Sequence, residues 1–231
     1  MTVTRRIPWE PSPHGGPLGR HVRHDPQSWN YRVARQDAPL ASVAHQRRVS
    51  VYDQGQIGDC VPHAGKGVLS TSPFRRRFTS EAGIIATYKE LTRTDDVPGQ
   101  YPPDDTGSDG LSFAKLAVKH RWCSYYQHCF GVTDVLHAIQ TVPLMVGTDW
   151  LDGMDRPDPD GRVHPTGSVR GGHEYECAEY EQRGATRNDT EDRLWFWQSW
   201  GQWALHGRFY ITVNDFAGLL ERQGDATVLV R

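Results

Sequence analysis

The 231-residue sequence predicts an α+β fold in two lobes, on two observations. Through the first half, apolar residues recur at helical spacing. From Pro143 onward, short apolar runs separated by polar turns read as strands. Helices gathered before strands, rather than alternating with them, are the pattern of α+β architecture. The length suits one domain or two tightly packed lobes with a substantial core.

Bulk properties exclude several classes. A formal net charge of −2 gives no field that would favour nucleic acid or a membrane surface. Mean hydropathy is −0.65. No apolar run approaches the roughly 18 residues of a membrane span. The start, Met1 to Pro8, carries basic residues without an apolar stretch behind them, so no secretory signal is visible and synthesis in the cytoplasm is expected. The four cysteines, Cys60, Cys123, Cys129 and Cys177, do not read as a disulfide framework in such a chain. No cofactor motif is present. His120, Cys123, His128 and Cys129 lack the spacing of a structural zinc site, and the acidic loops near 104–110 and 158–161 lack the calcium-loop pattern.

In chain order, residues 1–40 hold Pro8, Pro11, Pro13, Pro17, Pro26 and Pro39. They form an extended arm over the domain surface or, with equal support, a disordered tail. Residues 41–231 are expected to form the folded domain, with a helical lobe over about 41–140 and a β lobe over about 141–231. Gly55 and Gly58 permit tight turns, and Cys60 onward reads as a helix to about Leu69. Pro62 is tolerated in its first turn. Further helices are expected from Thr79-Ser80-Glu81 through Leu91, over 111–120 and over 132–139. Residues 144–147, 174–180, 194–200 and 208–213 read as strands.

The chemistry gathers around Cys60. A thiolate is stabilised by a helix N-terminus and by a neighbouring imidazolium. Cys60 opens a helix, and the Gln54 side-chain amide lies six residues before it. Of eleven histidines, His173 is the best base, because Gly171-Gly172 lets its backbone approach another element closely. A third group must orient that base. The Gln198 amide oxygen suits the role, with Trp200 covering the hydrogen bond against water.

Asp53-Gln54-Gly55, Gly58 and Cys60 resemble the active-site segment of papain-family cysteine peptidases. Gly171-Gly172-His173 is similar to that family's histidine segment. Ser199-Trp200-Gly201 with Trp203, and the following 206–211, resemble its Asn-Ser-Trp-Gly segment and succeeding strand. Residues 108–123 and 135–147 are similar to stretches of the bacterial and viral branch, which points to a bacterial or phage source. The resemblance spans about 40–225. It implies a helical lobe, an antiparallel β-barrel-like lobe and an active-site cleft between them. It further implies hydrolysis of a peptide or protein substrate through a thioester acyl-enzyme. Cys60 would be the nucleophile, His173 the base and Gln198 its orienter. Gln54 would bind the oxyanion, and Gly171, Gly172 and Trp200 would line the substrate. It implies no metal or other cofactor. Four positions depart from the family's pattern: Gln198 replaces Asn, and Asp59, Val61 and Glu174 flank the reactive pair. These leave open a weakened or inactive peptide-binding protein. A thiol hydrolase of cell-wall peptides and an acyl-transferring enzyme are further readings. Substrate preference and oligomeric state are not written in the sequence.

Overall fold

The computed structural model describes residues 5–6, 9–35, 38–183 and 191–231. Its centre is helix α1, Cys60–Leu69, in which all ten residues are buried. A helix enclosed on every face needs its smallest residues where neighbours come closest, which explains Gly65 and Gly67 in its interior. A Cβ on Gly65 would lie 2.1 Å from the Phe113 ring. Helix α2, Glu81–Thr94, starts where Ser80 accepts from the Gly83 N–H at 3.2 Å. Helix α3, Gly110–Lys119, starts where Asp109 accepts from the Ser112 N–H at 2.8 Å. Both are side-chain caps that satisfy otherwise unpaired donors.

Against α1 lies an antiparallel sheet. Its strands are β2 (Val43–Ala44), β4 (Tyr125–Cys129), β5 (Leu144–Leu151), β6 (Val169–Glu181), β7 (Arg193–Trp197), β8 (Arg208–Thr212) and β9 (Asp225–Val230). The order is β4-β9-β5-β6-β7-β8, with β2 on the far end of β6. A small parallel pair joins β1, Arg5–Arg6, to β3, Asp104–Asp105. Helix α4, Val132–Ile139, and helix α6, Val213–Glu221, pack on the sheet with Val135, Ile139, Phe216 and Leu219 in the main core. A short turn, α5, spans Trp203–His206. The fold class is therefore α+β, as the patterning predicts.

The structure adds elements that the sequence reading lacks: β4, β9 and α6. The strand expected over 194–200 ends at Trp197, so Gln198 begins a turn. The arm also departs from expectation. Pro26–Tyr31 form a short 3-10 helix, and the stretch before it does not stay on the surface. Pro17, Leu18, Gly19 and Arg20 are buried, and Leu18 belongs to the main core. Burying one leucine contributes roughly 1.5–3 kcal/mol, enough to draw the arm inward. Further along, Arg32 Nε and Arg35 Nε donate to the buried Asp134 carboxylate at 3.0 and 2.6 Å. That carboxylate also accepts from the Phe130 N–H at 2.9 Å.

Burial works against ionised Asp134, but Arg32 and Arg35 outweigh it and hold the acid below its ordinary value. Its contribution is present above the unfolded value of about 3.9 and is lost as pH falls through the depressed folded one. Asp134→Ala should cost about 1–3 kcal/mol at neutral pH, measured by urea denaturation, with a smaller difference near pH 3.

Candidate functional site

The loop before α1 is tied at several points. The Asp53 side chain accepts from the Gly55 N–H at 3.0 Å, and Gly55 sits at φ +59°, a conformation glycine adopts without strain. The Gly58 N–H donates to both Asp105 oxygens at 3.1 and 3.0 Å, and Tyr88 Oη donates to Asp105 at 2.7 Å. The loop also pairs with residues 199–201. The Gln54 N–H donates to the Ser199 carbonyl at 2.8 Å and the Gly201 N–H to the Tyr52 carbonyl at 2.9 Å. This pairing joins the cysteine segment to the turn that carries Gln198.

Gln54 is buried, and its amide orientation follows from its partners. Ser199 Oγ donates to Oε1 at 2.6 Å. Nε2 donates to the Ile57 carbonyl at 2.6 Å and to the Pro17 carbonyl at 3.3 Å. Two carbonyls can only be met by the amino end, so an N–H of Gln54 faces the cleft.

His173, on β6, is 0% exposed. Its Nε2 lies 3.2 Å from Gln198 Oε1. Trp200 stacks on the imidazole with centroids 4.7 Å apart, and Trp150 meets its edge at 5.1 Å. Trp150 is itself held by Asp155, which accepts from its Nε1 at 2.8 Å. The backbone N–H of the next residue, Glu174, lies near the Cys60 sulfur, where it favours the thiolate. The structure thus brings Cys60, His173, Gln198, Gln54 and Trp200 into one region. His173 Nδ1 is buried without a hydrogen-bond partner.

The arm fills the cleft. The Pro17 carbonyl accepts from Trp200 Nε1 at 3.2 Å as well as from Gln54. The Gly19 N–H also lies near the Cys60 sulfur. The Arg20 N–H donates to the Gly172 carbonyl at 3.0 Å, and the Gly19 carbonyl accepts from the Ser108 N–H at 2.8 Å. Leu18 lies against Gly171. Gly171, Gly172 and Trp200, expected to line substrate, therefore all touch the chain's own arm. Only glycine fits at 19, since a Cβ there would lie 1.8 Å from the Gly58 carbonyl oxygen.

Burial raises the Cys60 thiol pKa, and the Glu174 and Gly19 N–H groups offset this only in part. Burial likewise pushes His173 down to about 3 despite the Gln198 bond. With the arm seated, the pair is neutral thiol and neutral imidazole. Asp59 does not confront the thiol unopposed. It is buried, with His63 Nδ1 3.2 Å from its Oδ1 and 2.9 Å from its own backbone carbonyl. His63 Nε2 reaches Glu81 at 2.7 Å. Burial opposes a charge on His63, but Asp59 and Glu81 outweigh it and push the ring up to about 9.

Sequence reasoning missed His63, Asp105, Ser199 and the arm's path. His63 had one local signal, its i,i+4 spacing from Asp59 on an expected helix. Asp105 and the arm act across long sequence separations and had none. Of the other histidines and cysteines weighed for metal, His120 stacks on Trp122 and bonds to Glu90, and His128 bonds to Thr227.

No protein-family model matches the sequence, and no curated protein sequence matches it. Solved structures do. Xylellain, a cysteine protease from Xylella fastidiosa, superposes with TM-score 0.70 at 14% identity, over 100% of this chain and 99% of that one. Digestive procathepsin L 3 from the larval midgut of Tenebrio molitor gives 0.61 at 16% identity, over 94% and 77%. The bromelain protease of Ananas comosus, in complex with the inhibitor E64, gives 0.57 at 13% identity, over 84% and 99%. The chain has the papain-like fold of these proteases.

Histidine ring titration by NMR separates the two buried imidazoles. His63 should titrate near 9, and His173 should stay neutral down to about 3. Because the folded pKa of His63 is raised, its contribution is complete below about 6.5 and is lost as pH rises through 9. His63→Gln should remove that part of the alkaline loss of stability. Ordinary titration of both rings would contradict this electrostatic picture.

Proposed function

We propose that this chain is a cysteine-type peptidase that hydrolyses peptide bonds through a thioester acyl-enzyme. The observation that carries the reading is the crossing of β6 over the start of α1. There the Glu174 N–H lies near the Cys60 sulfur while His173, one residue earlier, is oriented by Gln198 and covered by Trp200. The papain-like fold supports it. So does residue matching to the bacterial and viral branch of the papain family, to which we assign the chain.

In this reading the Cys60 sulfur attacks the substrate carbonyl carbon and its proton passes to His173. The oxyanion takes the place now held by the Pro17 carbonyl, on Gln54 Nε2, with the Cys60 N–H as second donor. Collapse expels the amine, protonated by His173, and leaves the acyl group on sulfur. Water, deprotonated by His173, then hydrolyses the thioester and restores the thiol. Gln198 accepts from His173 Nε2 and so fixes the ring's orientation, leaving Nδ1 as the basic nitrogen. Access requires the arm to leave. A purely peptide-binding role is the second reading, favoured by the complete burial of Cys60 and His173 beneath the arm.

Iodoacetamide at mildly acidic pH, read by peptide mass mapping, separates the two. Once the arm is loosened, as in Arg20→Ala, Cys60 should label faster than Cys123, Cys129 and Cys177, and adding His173→Ala should abolish the preference. Peptide hydrolysis should fall about 10²–10³-fold in Gln54→Ala. The peptidase reading fails if Cys60 reacts no faster than the other cysteines, both in the wild type and in Arg20→Ala, where the arm loses an ion pair.

A further inference from the structure

Arg20 of the arm ends in a place shaped for a cation. Its residue is 3% exposed, although arginine is almost never buried without a charged partner. Nη2 donates to Asp225 Oδ2 and, at 2.8 Å, to the Gln223 carbonyl. Nε and Nη1 make no hydrogen bond. Facing the same space is Glu174, 0% exposed, with neither carboxyl oxygen hydrogen-bonded. Two glycines keep the pocket open. A Cβ on Gly147 would lie 2.5 Å from both Arg20 Nε and Glu174 Oε2, and one on Gly110 would lie 2.8 Å from Glu174 Oε1.

A pocket that served only to anchor the arm would need one acid, and Asp225 supplies it. The second acid acts on Arg20 only through space and accepts no hydrogen bond from it. Burial, and then the Asp225 charge, raise the Glu174 pKa well above the carboxylate range even with Arg20 nearby. A buried carboxyl without a partner is costly, so its retention calls for a reason beyond the closed state. Position supplies one. The Glu174 N–H lies near the Cys60 sulfur, as does that of Gly19, the residue before Arg20. A peptide side chain entering this pocket therefore belongs to a residue beside the reacting bond.

We propose, resting on the peptidase reading above, that Glu174 and Asp225 form a specificity pocket for an arginine side chain of the substrate, and that Arg20 is its stand-in in the closed chain. A guanidinium presents five N–H donors in a planar fork and can satisfy both carboxylates at once. A lysine ammonium is a point charge without that reach.

The test uses the full-length Arg20→Ala variant and quenched-fluorescence peptides. A single Arg, Lys, Gln or Leu is walked through three positions on each side of the cleaved bond. At one position Arg should exceed Leu in kcat/KM by at least about tenfold, with Lys between them. Adding Glu174→Gln, or separately Asp225→Asn, should remove most of that preference while Leu peptides are still cleaved. A binding readout needs no turnover: ethylguanidinium should raise the melting temperature of Arg20→Ala more than ethylammonium does, and should not raise that of Arg20→Ala/Glu174→Gln. Cleavage without Arg preference, or a preference untouched by both pocket substitutions, overturns the pocket and leaves the peptidase reading standing. If no peptide is cleaved and Cys60 is not selectively alkylated, the peptidase reading falls. Ethylguanidinium then decides the pocket alone: selective stabilisation keeps a guanidinium-binding site, and its absence removes it.

Discussion

The site depends on β6 packing against the first turn of α1, which sets the Glu174 N–H near the Cys60 sulfur. It requires a helix buried on every side and a strand able to approach it closely. Gly171 and Gly172, just upstream on β6, leave room for the arm, and the small residues of α1 leave room for Phe113 and Glu176. Once this crossing is set, the position of His173 follows from strand geometry. The pairing of 52–54 with 199–201 then brings Gln54 and the Gln198 turn to the same cleft. Asp105 locks the loop from the other side through the Gly58 N–H.

The arm controls more than access. Its seating removes water from around Cys60 and His173, and in a dry site both groups prefer their neutral forms. The thiol is raised and the imidazole lowered by the same burial. Departure of Pro17–Arg20 would readmit water and remove that penalty, so exposure and activation of the thiol are coupled in one movement. The arm is held by a few separable contacts: Leu18 in the core, Arg20 on Asp225, and Arg32 and Arg35 on Asp134. On the side of the sheet that carries His173, Arg170 pairs with Asp155 at 2.8 Å, and its Nε donates to the Glu10 carbonyl at 2.8 Å.

Much of this was legible in the sequence where the signal is local. The caps at Ser80 and Asp109, the helical spacing over 132–139 and the strands around His173 and Phe209 are short-range patterns. Gln54, Cys60, His173 and Gln198 stood out because each type sits in a telling local setting. Strand β4 did not, because Tyr125–Cys129 mixes aromatic and polar residues, and its partner β9 lies almost a hundred residues away. Strand β9 and helix α6 follow the last motif, where no chemistry drew attention. Arg20 is one arginine among many, and nothing near it in sequence announces Glu174 or Asp225. The pairing of Asp59 with His63 is recognisable only once the helix places both on one face.

The most direct measurement is intact-mass spectrometry of the acid-quenched Gly19→Ala variant during peptide turnover. The added methyl collides with the Gly58 carbonyl and unseats the arm without altering Cys60, His173, Gln54 or Gln198. The account predicts an acyl adduct that maps to Cys60, disappears in the Gly19→Ala/Cys60→Ala double variant, and accumulates more than in the wild type. A Gly19→Ala protein whose Cys60 alkylates rapidly, yet carries no acyl group and cleaves no peptide, would contradict it.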